Sequence, residues 1–317
     1  MENITQTLPP NAHASKNATV TPPPYLEKLT KTDWQERETA HKERTHALTA
    51  AHTARRARGE KHAIEDFLFT YYSYKPAQIA RWHPGAGMLL SGCTDRADWR
   101  YYAQDSAGAW VDLPGYFAQR EGTVAYVENL LRQTLDRPAR FGCFGLHEWA
   151  MVFHLTPEQI RHRGLRLRLG SEASDKVVAE HTIGCSHFDA FRFFTPDAAP
   201  LNTIHPTRAT QPDLEQAGCL HAGMDLYKWA TKLGPIVPGE LLLDCFELAR
   251  DIRTVDMQAS PYDVSDFGLP AIEIENAAGK REYVALQRGF ATRGNALRER
   301  LLETMSLARK LSTLYTN

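Results

Sequence analysis

The chain has 317 residues, 43% of them hydrophobic and 24% charged, with a net charge of -1. That balance supports a large buried core in one or two domains and argues against a protein held to nucleic acid by its overall charge. Five cysteines, an odd number spread from Cys93 to Cys245, do not make a secreted disulfide framework. No apolar run approaches the roughly 18 residues of a membrane span and the N-terminus lacks a signal pattern, so a cytoplasmic protein is expected.

Residues 1–24 are rich in Asn, Thr, Ala and Pro and end in Thr21 followed by three prolines, a composition that predicts a disordered tail. No Pro/Gly/Ser linker divides the remainder, so residues 25–317 are expected to form a single, mainly helical catalytic domain with small β elements. Thr32 with Gln35 three residues on predicts a helix start, and the stretch to about Ala57 has no Pro or Gly. Its bases, from Arg37 to Lys61, are interspersed with acids and read either as a solvated helix face or as a phosphate track.

An apolar helical face is expected over His62 to Tyr74 and a small hairpin over Trp99 to Leu113. Further helices are predicted near Thr123 to Leu135, Phe144 to His154, residues 157–162, Ala222 to Lys232, Gly239 to Met257 and Lys280 to Leu314. Strands are predicted over Val177 to Ile183 and Ala271 to Ile274.

Three times a Gly-Cys pair stands just ahead of a histidine and an acid: Cys143 before His147 and Glu148, Cys185 before His187 and Asp189, and Cys219 before His221 and Asp225. Thiol, imidazole and carboxylate bind metals and move protons. Each cluster lies among aromatic or apolar residues, so the three segments are expected to converge on one pocket, because such polar groups are costly to bury three separate times. Cys185, His187, Cys219 and His221 together make a possible tetrahedral zinc set, although the spacing is unlike familiar zinc signatures. Glu148 next to Trp149 has the environment of a general acid or base. Asp244, Glu247 and Asp251 border the apolar stripe of their predicted helix, as either a pocket lip or a solvated acidic face. Phosphate-binding loops, dinucleotide fingerprints, nucleophile elbows, His-Glu-x-x-His and the zinc-deaminase signature are all absent from the sequence.

Four segments, His62 to Ser73 (HAIEDFLFTYYS), Arg140 to Met151 (RFGCFGLHEWAM), Cys185 to Pro196 (CSHFDAFRFFTP) and Glu247 to Arg253 (ELARDIR), carry a resemblance to a family of bacterial proteins that goes under the name 3-methyladenine DNA glycosylase. The resemblance runs from about Trp34 to the C-terminus and implies hydrolysis of the N-glycosidic bond of an alkylated or modified nucleobase, with DNA or another nucleobase-containing substrate as partner. The chain has no helix-hairpin-helix glycine motif followed by a catalytic Asp. Within that reading the residues themselves nominate Asp225 as the reactive carboxylate, with Glu148, Asp189, His187 and His221 as further catalytic candidates. Asp225 is expected to serve chemistry more than packing. Trp149, Phe191 and Trp229 are the candidates to stack on an extruded base, and Arg81 and Arg192 to hold phosphate. This reading requires no cofactor. The alternative is a metal-dependent enzyme acting on a small molecule, with zinc or iron held by the Cys/His/Asp residues.

Overall fold

Thr30 opens the first long element. In the computed structural model, which describes Pro23 and residues 26–160 and 164–316, its Oγ1 accepts from the Asp33 N–H at 3.2 Å while the Asp33 carboxylate accepts from Thr30 N. This capping box starts α1 (Lys31–Ala57) earlier than the expected Thr32, because the preceding strand β1 (Glu27–Leu29) ends just before it. The expected tail, apart from Pro23, lies outside the described residues.

Next come α2 (Phe67–Tyr71), α3 (Pro76–Ile79), β2 (Met88–Ser91), β3 (Tyr102–Gln104) and β4 (Gly108–Val111). The strands form one sheet in the order β1-β2-β4-β3, with β1 parallel to β2 and the other pairs antiparallel. The predicted hairpin is β3–β4. Gly108 at φ +148° is required there, since a Cβ would stand 2.0 Å from the Leu90 carbonyl oxygen.

The remaining chain is helical: α4 (Leu113–Asp136), α5 (Leu146–Ala150), α6 (Gly170–Ala179), α7 (Phe188–Phe191), α8 (Gln211–Leu214), α9 (Leu220–Leu233), α10 (Gly239–Gln258) and α11 (Ala277–Thr316). The protein is mainly α with a small β sheet. One core cluster runs from Leu68 to Leu311 and fills the space between α4, α9, α10 and α11. Helices α9 and α10 pack so closely that a Cβ on Gly223 would meet Ile252 Cδ1 at 2.8 Å. Among the described residues no helix is long and apolar enough to cross a membrane.

Several expected elements differ. Val177 and Val178 sit on α6, where with Ser174 they make a buried stripe at helical spacing; the strand expected from Val177 to Ile183 is therefore absent. Ala271 to Ile274 forms no strand, and Ile272 and Ile274 are buried as plugs of a loop tied to α10 by Ile272 N donating to Gln258 O. Helicity between His62 and Tyr74 is limited to α2, and Ser73 at φ 59° follows it. Phe144 and Gly145, both left-handed, shorten the predicted helix at Phe144 to α5. Of the helix expected over residues 157–162, Pro157 to Ile160 holds turns and no helix, and the rest falls outside the described residues.

The basic face of α1 is largely spent on ion pairs. Arg37 meets Glu240 at 3.0 Å, while Arg44 meets both Asp244 at 2.8 Å and Glu247 at 2.9 Å, clamping α1 to α10. Asp244 also takes Arg300, and Asp251 takes Arg293, both from α11. Asp244, Glu247 and Asp251 are thus seams between helices and line no cavity described below.

Candidate metal centre

The three Gly-Cys segments meet. Cys143, Cys185 and Cys219 line one small enclosed space with His147 and His221. His221 stands between two other imidazoles: its ring centroid is 4.4 Å from that of His147, edge-on, and 5.2 Å from that of His187, stacked. Local structure explains the convergence. The left-handed pair Phe144 and Gly145 turns the chain into α5, so that His147 and Glu148 point inward from its first turn. His187 occupies the N-cap position of α7, His221 the first turn of α9, and Asp256 the last turns of α10.

Two groups of ligand-type atoms result, each with its members within 4.8 Å of one another: His147, His221 and Asp256, and His187, Glu215 and Asp225. All six residues are buried. The groups are satisfied very differently.

In the second group Asp225 has partners on both oxygens. Tyr72 OH donates to Oδ1 at 2.8 Å, while Oδ2 receives Lys228 Nζ and lies 3.3 Å from His187 Nε2. Glu215 Oε1 adds a second carboxylate 3.2 Å from the same nitrogen. Burial opposes the charged form of His187, but these two acids outweigh it and lift its pKa to about 9. Burial likewise works against ionised Asp225, and Lys228 with His187 overcomes it, holding the carboxyl far below its ordinary range. This group is an ion-pair network that extends through Lys228 to Asp189, 3.4 Å away. Asp225, 1% exposed and bound on both sides, therefore carries structural weight that the sequence-based expectation did not give it.

The first group is less fully partnered. His147 Nε2 pairs with Asp256 Oδ1 at 3.0 Å, and although burial opposes it, Asp256 raises the His147 pKa. His221 makes no hydrogen bond among the described residues. Burial strongly disfavours its charged form and the nearby His147 adds to this, so it remains a neutral imidazole with a lone pair to offer. Two ligands about 2.1 Å from one ion, at angles between octahedral and tetrahedral, are separated by about 3.0–3.4 Å. The spacing of His147 and Asp256 fits that requirement, and two imidazoles with one carboxylate are a recurrent donor set for catalytic zinc and non-haem iron. Arg253 supports the group: Nη1 donates to Asp256 Oδ2 at 3.1 Å and to Glu148 Oε1 at 3.0 Å.

Above this centre lies a cavity of about 440 Å³. Glu148, His221, Asp189 and Arg192 give it polar walls, and Phe67, Tyr71, Met151 and Phe193 apolar ones. Glu148, His221, Asp189 and Arg192 are thus brought together, while His187 and Asp225 lie behind them.

Other sequence candidates are placed elsewhere. Trp149 is fully buried with Nε1 donating to Ala259 O at 2.9 Å, so its faces belong to the core and none is open to a base. Phe191 packs against Phe194 and His205 and lines no described cavity. Trp229 and Arg81 line cavities that adjoin the one over His221 but do not line that one itself. Cys185, His187, Cys219 and His221 do not assemble as one ligand set: the two histidines go to different groups, and no cysteine joins either. Burial pushes the Cys185 thiol up to about 12 and Cys219 well above its ordinary value, which disfavours both as thiolate ligands.

Sequence reasoning missed Asp256, Glu215 and Arg253 as members of the site. Arg253 and Asp256 do leave a signal, charged residues three apart that interrupt the apolar stripe formed by Ile252 and Val255. Glu215 stands in a short connection after α8 and leaves none. No family model matches the chain, and no curated protein or solved structure compared with it is a match, so the site is read from its own geometry.

Proposed function

We propose that this chain is a metal-dependent hydrolase whose ion is held by His147, His221 and Asp256 at the floor of the cavity. One observation carries the reading: His147, His221 and Asp256 are buried with ligand-type atoms within 4.8 Å of one another, and the neutral ring of His221, which has no hydrogen-bond partner among the described residues, borders the cavity. A divalent ion there would supply Lewis acidity and lower the pKa of a bound water. Glu148 faces the same cavity without belonging to the donor set, and Arg253 fixes its Oε1. It is placed to take a proton from a water at the cavity floor and return it to a leaving group. Arg253 orients both Glu148 and Asp256, linking the proton acceptor to the donor set through one guanidinium nitrogen. Lys228 and Arg192 hold Asp189 at the cavity wall, where it accepts hydrogen bonds from substrate.

The second reading, metal-free hydrolysis of an N-glycosidic bond, is favoured by the cavity walls, where Phe67, Tyr71 and Phe193 stand beside Glu148 and Asp189. In that case the reactive carboxylate is Glu148 or Asp189. Elemental analysis of protein purified without chelator separates the two. About one zinc or iron per chain, lost in His147→Ala, supports the metal reading. Metal-free protein that releases base from methylated duplex DNA supports the other.

A further inference from the structure

The cavity over His221 continues into a cationic trough. A second cavity of about 340 Å³ shares Tyr71, Asp189 and Arg192 with it, and a third of about 330 Å³ shares Tyr74 and Lys232 with the second. Arg208, Lys228 and Lys232 line the middle section, and Arg81, Arg100 and Arg120 the far one. Among the described residues Asp189 is the only acid lining these two sections, and it is already engaged by Lys228 and Arg192.

Arg81, Arg100, Arg120, Arg208 and Lys232 form no ion pair with a described residue, in a chain where most other arginines do. The cations are nonetheless held in place. Arg81 lies 5.0 Å over the Trp99 ring, Arg100 lies 4.6 Å over Tyr101, and Arg120 donates to the Lys232 carbonyl at 2.8 Å. Lys232 is partly desolvated and crowded by Lys228, Arg208 and Arg120, which together lower its pKa. Like charges kept close without counter-charge raise the free energy of the empty trough, and a ligand anion relieves it. Fixed guanidinium forks spread over two sections match phosphate groups better than a single carboxylate.

We propose that the trough binds a substrate bearing more than one phosphate group, with its reacting end in the cavity over His221. The placement of the reacting end rests on the hydrolase reading; the phosphate site does not. Phosphorylated small molecules and single-stranded nucleic acid share this chemistry, and the test separates them.

Calorimetric titration of the full chain at low salt, before and after chelator treatment, with inorganic pyrophosphate and with a ten-nucleotide oligothymidylate, is the experiment. Binding of at least one probe is expected, weakening as salt rises and unchanged by chelator. Lys232→Gln and Arg81→Gln should each weaken it by about tenfold, the scale of one lost charge-assisted hydrogen bond. Equal affinity for the two probes identifies a small phosphorylated molecule, and much tighter oligothymidylate binding identifies a strand. His147→Ala should keep the binding. If that variant and the chelated protein bind fully while no metal is found, the hydrolase reading fails and the phosphate site stands. No binding of either probe, binding abolished by chelator, or binding indifferent to both Lys232→Gln and Arg81→Gln overturns the proposal. Circular dichroism and thermal unfolding of the variants verify that they are folded.

Discussion

The two buried His/carboxylate groups are built from the same residue types and share a wall, yet they are partnered unequally. Around Asp225, Tyr72, Lys228 and His187 converge on the two carboxylate oxygens. Around Asp256 the protein supplies one arginine to Oδ2 and His147 to Oδ1, and His221 beside them has no hydrogen-bond partner among the described residues. A ligand-type cluster is thus not a metal site by composition alone; what counts is which donor atoms remain unengaged after the protein's own cations are placed. The same contrast separates the bases of α1, tied to acids on α10, from Arg81, Arg100, Arg120, Arg208 and Lys232 of the trough, which pair with no acid among the described residues.

The largest effect expected from this comparison is on metal content. His147→Ala or Asp256→Asn should reduce bound zinc or iron from about one per chain to near none, measured by mass spectrometry after gel filtration, because each removes a direct ligand. Glu148→Gln should retain the metal and lose activity by about a hundredfold or more, as removal of a general base does. Metal loss in Glu148→Gln would show Glu148 to be a ligand and break the separation drawn here.

Asp225→Asn comes next. It leaves Lys228 and His187 buried against a neutral amide, a change that costs about 3–5 kcal/mol for a broken buried ion pair. Urea denaturation should show that loss with metal content intact. An unchanged midpoint together with lost metal would move the centre to the second group.

The sequence made much of this visible, and the failures have physical causes. The long helices α10 and α11 could be read because their apolar spacing persists over many turns, and α1 because a capping signal opens a long stretch free of Pro and Gly. Val177 and Val178 misled, since two adjacent β-branched residues mimic a strand until Ser174 reveals the helical stripe. The repeated Gly-Cys pattern drew attention to His147, His187 and His221, which the fold brings together. It drew attention to the cysteines as well, although they are desolvated wall residues. Trp149 was misleading because adjacency to Glu148 on a helix sends the two side chains in different directions, one to the cavity and one to the core. Asp256 and Glu215 join the site only through tertiary packing, from positions well separated in sequence from the Gly-Cys segments, so no local pattern announces them. The free cations of the trough were equally hidden, because unpaired charge is a property of the fold and not of spacing.

The smallest effect sharpens the comparison most cleanly. Tyr72 OH donates to Asp225 Oδ1 at 2.8 Å, and burial with the adjacent Asp225 charge keeps the phenol protonated well beyond its ordinary range. Tyr72→Phe removes one hydrogen bond to a buried carboxylate while preserving the ring that packs edge-on against Tyr227, 5.5 Å between centroids. The cost should be that of one hydrogen bond to a charged group, about 1.5–3 kcal/mol, because the ion pair to Lys228 survives. If the Asp225 group is a closed structural network, Tyr72→Phe lowers stability by that amount and changes neither metal content nor the activity lost in Glu148→Gln. If the variant instead releases metal at unchanged stability, Tyr72 is positioning Asp225 as a ligand, and the two groups act as one centre. Denaturation and elemental analysis of the same preparation separate these outcomes, since only the second couples a hydroxyl on α2's C-terminal edge to an ion held from α5, α9 and α10.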